Sequence, residues 1–188
     1  MSDGQKDLDL PALDGTYDLA LAGTGFASSF FLQRYLSLAG PDARVIVLER
    51  GKIVSRATHL KRRGDAYPHG DMVFDRKGIS EKVWNFRVGF GGSSNCWEGN
   101  TPRQFPTDFL LKSRCGVGYD WPFTYEDLAP YYEQVEAAMW ISGGPSPDGI
   151  VRETDYPLPA HGLSDPEKAL MAAFPGAFIP MPTARASR

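Results

Sequence analysis

Apolar and polar positions follow two different periods along this chain, and the change of period marks its first unit. Tyr17-Asp18-Leu19-Ala20-Leu21-Ala22 is a short, mostly apolar run. A near-continuous run of this length reads as a strand buried on both faces. From Ser29 to Ala39 the apolar residues recur at helical spacing instead, through Phe30 or Phe31, Tyr35 and Leu38. Gly40-Pro41 stops that helix. Arg44-Val45-Ile46-Val47-Leu48 is a second strand, and Glu49 stands at its carboxyl end. Strand, helix and strand within about 30 residues make a βαβ unit, with parallel strands and a right-handed crossover.

Downstream the pattern is less regular. Residues 51–124 are rich in loops, with a strand expected over Val83 to Val88 and a short helix starting at Thr107 (DFLLKS). Thr124-Tyr125-Glu126-Asp127 is a capping box. It opens a helix whose apolar face carries Leu128, Tyr131 or Tyr132, Val135 and Met139. Residues 142–162, with four prolines and four glycines, read as a long irregular connection. Ser164-Asp165-Pro166-Glu167 opens a last helix, running to about Phe174, and AFIPMPTARASR reads as the start of an extended segment. The fold class is α/β: a parallel sheet built on a βαβ unit, a loop-rich excursion, then helices. A polar N-terminal segment, residues 1–16, precedes a domain over residues 17–188.

Composition narrows the function classes. A chain of 188 residues with 23% charged side chains suits a soluble globular domain. A net charge of −3 gives no drive toward nucleic acid or an anionic membrane. No apolar run approaches the roughly 20 residues of a bilayer-spanning helix. MSDGQKDLDLPALDG has no basic or apolar region of a signal peptide. Cys96 and Cys115 lack metal-ligand spacing. The expectation is a cytoplasmic protein without a metal site.

Two glycine-rich runs carry the candidate chemistry. The first, Gly23-Thr24-Gly25-Phe26-Ala27-Ser28, lies between strand and helix. In a dinucleotide-binding βαβ unit the first glycine permits a tight turn and the second lets the backbone approach a pyrophosphate. The sixth residue lets the helix lie close to the strand, and the phosphates sit at the helix N-terminus. Ser28 departs from the usual Gly or Ala at the sixth position but is still small. Glu49 stands where an acid accepts hydrogen bonds from a ribose diol. A ligand-free turn is the competing reading, and the motif alone does not separate FAD from NAD. The second run, Gly89-Phe90-Gly91-Gly92-Ser93-Ser94-Asn95-Cys96-Trp97-Glu98-Gly99, combines permissive glycines with hydroxyl and amide groups suited to a polar ligand. A tight turn capped by Ser and Asn is its alternative.

Taken together, YDLALAGTGFASS, VIVLERG, GFGGSSNCWEGNTPRQFPTDF and YDWPFTYEDLAPYYEQVE resemble, in order and spacing, the N-terminal part of the glucose–methanol–choline (GMC) flavin oxidoreductases. The resemblance covers residues 17 to about 140, and the remainder loosely. It implies a Rossmann-like FAD-binding fold. It also implies cofactor contacts from Gly23, Gly25, Phe26, Ala27 and Ser28, from Glu49 and Arg50, and from Gly91, Gly92, Ser93, Ser94, Asn95, Cys96 and Trp97. The activity implied is oxidation of an alcohol or sugar hydroxyl by hydride transfer to the flavin. Some members of this superfamily bind flavin covalently through a histidine at about the position of Cys96. Cysteine is more often a small buried hydrophobe, so any flavin here is expected to be held non-covalently.

In that family the substrate-binding sheet and the catalytic histidine, with its His or Asn partner, come from the C-terminal part, for which this sequence has no match. No catalytic residue is assigned. His59, His69 and His161 sit in no motif, and Lys61-Arg62-Arg63 reads as a solvated face. Arg103 is a candidate anchor for its loop and Asp108 a candidate helix cap. The incomplete sheet and the missing half leave two functional readings. One is a piece of an FAD-dependent oxidoreductase, completed by a second polypeptide that supplies the C-terminal half. The other is a non-catalytic nucleotide-binding or interaction module, or a degenerate fragment.

Overall fold

The computed structural model describes residues 15–55, 57–58 and 88–187. The expected strand over Val83 to Val88 lies outside them except for its last residue. His59, His69 and Lys61-Arg62-Arg63 also lie outside. The chain divides into two compact units, Met1–Trp97 and Glu98–Arg188.

The first unit holds strand β1 (Leu19–Ala22), helix α1 (Phe26–Leu38) and strand β2 (Val45–Leu48). The two strands pair in parallel, Leu19 opposite Val45 through Ala22 opposite Leu48. The expected β-α-β order with parallel strands is therefore present. Two details differ. Helix α1 starts at Phe26 rather than Ser29, because Gly25 adopts an extended conformation and serves as the N-cap. The strands are not buried on both faces: Leu19 and Leu21 are half-buried, while Ala20, Ala22, Val47 and Leu48 are exposed. Of the residues at helical spacing in α1, Phe30 and Tyr35 are half-buried, while Phe31 and Leu38 are 54% and 69% exposed.

The second unit contains all the buried residues among those described. Its core joins Phe109, Tyr125 and Ile150, with Phe123, Leu128, Ala129 and Tyr132 packed against it. Phe109 comes from a 3₁₀ turn over Pro106–Leu110, which leads into helix α2 (Leu111–Cys115). The Asp108 carboxylate accepts the Phe105 backbone N–H at 2.7 Å, the cap expected of it.

Helix α3 (Tyr125–Ala138) opens with the expected Thr124–Asp127 capping box. Of the two tyrosines proposed for its inner face, Tyr132 packs inward and Tyr131 is 60% exposed. Just past the helix end and its C-cap Met139, Trp140 is held at φ 53°. The Ile141 and Trp140 amides donate back to Glu136 O and Ala137 O. That is the pattern of a Schellman turn with a tryptophan where glycine is usual.

Residues 142–162 are not wholly irregular. Strand β3 (Ser142–Gly143) pairs in parallel with β4 (Leu158–Pro159). Thr183, in the C-terminal segment, bridges both Ser142 and Asn100. Pairs of two residues are too short to show a period in sequence, and the backbone of the buried Ser142 is satisfied by Thr183, which exchanges both N–H and C=O bonds with it at 2.9 Å. Helix α4 (Asp165–Ala173) follows as expected, with Ser164 and Glu167 forming its capping box.

Candidate functional site

The two glycine runs meet in the first unit, and Glu49 and Thr24 join them. The turn after β1 needs Gly23, whose φ is +89°, a left-handed conformation that costs a side-chain-bearing residue. Its N–H closes onto Leu48 O at 2.7 Å, which holds the turn against the end of β2. That placement brings the Glu49 carboxylate under the turn. Glu49 Oε2 accepts from the Thr24 backbone N–H at 3.1 Å and from the Thr24 hydroxyl at 2.7 Å, and Oε1 accepts from the Gly51 N–H at 2.9 Å. The Thr24 hydroxyl hydrogen bond, then that of Gly51, hold the Glu49 pKa below the ordinary glutamate range. Being ionised across the neutral range, the carboxylate can accept all of these bonds at once.

The second run is fastened to the first through the same threonine. The Gly91 N–H donates to Thr24 Oγ1 at 2.8 Å. The chain around Gly51 passes so close to Gly89 that a Cβ on Gly51 would overlap the Gly89 backbone. Phe90 N–H donates to Lys52 O at 3.1 Å, a second tie between the segments. Gly91 itself is at φ +89° and precedes a 3₁₀ turn over Gly92–Asn95.

Within that turn the polar side chains brace the loop. Ser94 Oγ donates to Gly91 O at 2.7 Å, and the Asn95 amide donates to Phe90 O and Gly92 O at 2.8 and 3.1 Å. Cys96, a half-buried free thiol, lies 3.4 Å from Ser93 O. The Trp97 ring meets Phe26 edge-on, with centroids 4.7 Å apart, so the end of the second run lies over the start of α1.

Above the first run there is room. A Cβ built on Gly25 meets nothing within 4 Å, and neither does one on Gly23. Helix α1 has no side-chain cap at its N-terminus and no acidic residue in its first turn. Its leading amides, from Phe26, Ala27 and Ser28, therefore face that space with the positive end of the helix dipole behind them. An uncapped N-terminus above a glycine with open space fits a phosphate-bearing ligand.

The structure thus brings together Gly23, Gly25, Phe26, Ala27, Ser28 and Glu49 with Gly91 through Trp97. Arg50 follows Glu49 with its side chain exposed. Sequence reasoning missed Thr24 and Gly51. Thr24 occupies a variable position of the glycine motif, and only its two hydrogen bonds show its part.

The second unit has a polar cluster of its own. Arg103 is buried and makes a two-pronged pair with Glu136, Nε to Oε1 at 2.9 Å and Nη2 to Oε2 at 2.8 Å. It also donates to the Tyr125 hydroxyl at 3.0 Å. Burial works against its charge, but the bonds to Glu136 and Tyr125 outweigh it and raise the Arg103 pKa. Arg152 pairs with the same Glu136 at 2.8 Å and lies over the Tyr156 ring. An open depression of about 750 Å³ lies beside this cluster, lined by residues 143–146 and 152–159. Among the described residues that line it, the cation is Arg152, and it is already paired with Glu136. His161 is exposed, 3.0 Å from Arg185 O, and belongs to neither site.

Among the described residues no His, Cys, Asp or Glu group converges as a metal site, and no helix is long and apolar enough to cross a membrane.

No family model matches the chain. Three curated proteins do. The fructose dehydrogenase large subunit of Gluconobacter japonicus is 33% identical over 107 residues, 53% of this chain and 20% of that protein. The 2-methyl-1,2-propanediol dehydrogenase of Mycolicibacterium austroafricanum is 39% identical over 140 residues, 65% of this chain and 23% of that protein. The 6'''-hydroxyparomomycin C oxidase of Streptomyces lividus is 37% identical over 166 residues, 85% of this chain and 30% of that protein. The chain is similar to part of longer oxidoreductases. It spans between a fifth and a third of the length of the curated relatives it matches.

Proposed function

We propose that residues 17–188 are the FAD-binding portion of a GMC-type oxidoreductase that oxidises an alcohol or sugar hydroxyl. The observation that carries this reading is the junction of two glycine loops on Thr24 and Glu49, beside open space over an uncapped helix N-terminus. A nicotinamide dinucleotide needs the first loop but gives no role to the second. The named relatives support the reaction class, since two are dehydrogenases of fructose and of a propanediol and the third is an oxidase. That one of them is a large subunit is compatible with a second polypeptide.

FAD, when bound, supplies the hydride acceptor. The chain's own residues bind and orient it. The turn at Gly23 and Gly25 leaves space for the pyrophosphate, and the amides of Phe26, Ala27 and Ser28 bind it. Glu49 accepts from the ribose, with Arg50 beside it. Gly91 through Trp97 form one wall of the flavin site. Cys96 packs against its own loop and forms no bond to the flavin. A base for the hydroxyl proton and the facing wall come from polypeptide outside these residues.

Glu49→Ala removes more than a ribose contact, because the Thr24 and Gly51 groups lose their acceptor too. Each charge-assisted bond contributes about 1.5–3 kcal/mol, so FAD affinity should fall by at least roughly tenfold by calorimetry. An unchanged affinity places the ribose elsewhere. Because the Glu49 pKa is depressed on folding, its contribution is present above the unfolded glutamate pKa and is lost as pH falls through the folded value.

The reaction is tested by anaerobic mixing of the FAD-loaded chain with a panel of alcohols and sugars, followed at the flavin absorption band. General-base catalysis alone contributes typically about 10²–10⁴-fold, and without an oriented substrate and a base this chain should not bleach at an enzyme-like rate. Bleaching that appears only on adding a polypeptide equivalent to the C-terminal part of the relatives supports the reading. Bleaching by the chain alone contradicts the division of labour. No bleaching even with the added polypeptide favours a non-catalytic nucleotide-binding module.

A further inference from the structure

We propose that Thr24 is a positioning residue that couples the two glycine loops: its hydroxyl, linking Glu49 to Gly91, fixes the start of the second loop's turn against the first loop. The proposal deepens the FAD-site reading and rests on it for the ligand, but the coupling belongs to the chain itself.

The hydroxyl has one proton and two lone pairs. Its proton goes to Glu49 Oε2 at 2.7 Å, and a lone pair accepts the Gly91 N–H at 2.8 Å. Polarised by an ionised carboxylate, the oxygen becomes a better acceptor, so each bond strengthens the other. The Thr24 backbone N–H binds the same carboxylate oxygen, which fixes the residue's direction.

The contact spans 67 positions of sequence and lands on the residue that starts the second loop's turn. From Gly91 the loop's own bonds carry the placement onward: Ser94 N–H and Ser94 Oγ both reach Gly91 O. The nearby backbone tie, Phe90 to Lys52, limits the loop's distance but does not address Gly91. Alanine or valine at position 24 would leave the tight turn intact and remove only this link.

The test compares the full chain with Thr24→Val and Thr24→Ser, by hydrogen exchange resolved to the Gly91 amide and without FAD, then by FAD titration. The wild-type Gly91 amide is expected to be protected. Thr24→Val should raise its exchange roughly tenfold, while the Leu21 amide of β1 and the Gly23 amide, bonded to Leu48 O, keep their protection. FAD affinity should fall by a similar factor, and Thr24→Ser should restore both. An unprotected Gly91 amide in the wild type overturns the proposal even if the valine variant fails to fold. So does a Thr24→Val chain whose Gly91 exchange is unchanged, or a failure of serine to rescue. If exchange responds as expected but FAD binds none of the three proteins, the coupling stands and the FAD reading falls.

Discussion

Gly25→Val is expected to abolish FAD binding while leaving the chain folded. The two halves of that expectation have separate grounds. Gly25 is in an extended conformation, φ −74° and ψ −176°, which a valine adopts without strain. A Cβ there meets no protein atom within 4 Å, so the side chain displaces nothing. Its cost to the fold is the exchange of one N-cap residue for a poorer one, about 1 kcal/mol or less. The same open space is where a pyrophosphate approaches the helix N-terminus, and a branched side chain fills it. Affinity should fall by more than about 100-fold, since the phosphates lose both backbone contact and the helix end. Gly51→Ala is the contrasting variant. Its Cβ would run into the Gly89 backbone, so it should disturb the second loop itself.

Glu136→Ala should be the most destabilising single substitution in the second unit. The Arg103 side chain is only 1% exposed, that of Arg152 9%, and both cations face this one carboxylate. Its removal leaves two buried like charges, with Glu133, 3.7 Å from Arg103, as a partial substitute. Breaking such a group by deleting one partner costs about 3–5 kcal/mol. For a unit of this size the melting temperature should drop by more than about 10 °C. A shift of only a few degrees in a thermal melt would mean that water reaches the guanidinium groups. Glu136 also sits in the last turn of α3, where its backbone carbonyl receives the Ile141 amide; alanine keeps that carbonyl, so the loss should fall on the side-chain cluster and not on the helix end.

Parts of this arrangement are legible in sequence for definite reasons. A glycine at positive φ leaves a mark because few other residues tolerate it, so Gly23 and Gly91 could be found. Glu49 could be found because a strand end has a fixed position in a βαβ unit. The capping boxes at Thr124 and Ser164 were legible because the residue types and their spacing define the bond. Helix α1 starts three residues before the expected Ser29, because its cap is Gly25, which carries no side-chain signal. The Arg103–Glu136 pair was half legible. Arg103 drew notice within its own segment, but its partner is 33 positions away and nothing local announces it. The expected burial of β1 on both faces is not met, because an apolar run reports a preference for cover and not what supplies it.

The central claim is that the two joined glycine loops form an FAD site. One measurement tests it directly: titration of the purified wild-type chain and its Gly25→Val variant with FAD, followed by quenching of flavin fluorescence and repeated with NAD as competitor. The account predicts saturable binding of one FAD per wild-type chain, released as free flavin on acid precipitation, with no binding by Gly25→Val and no displacement by NAD. A wild-type chain that does not bind FAD, or a Gly25→Val chain that binds it equally well, would contradict the account.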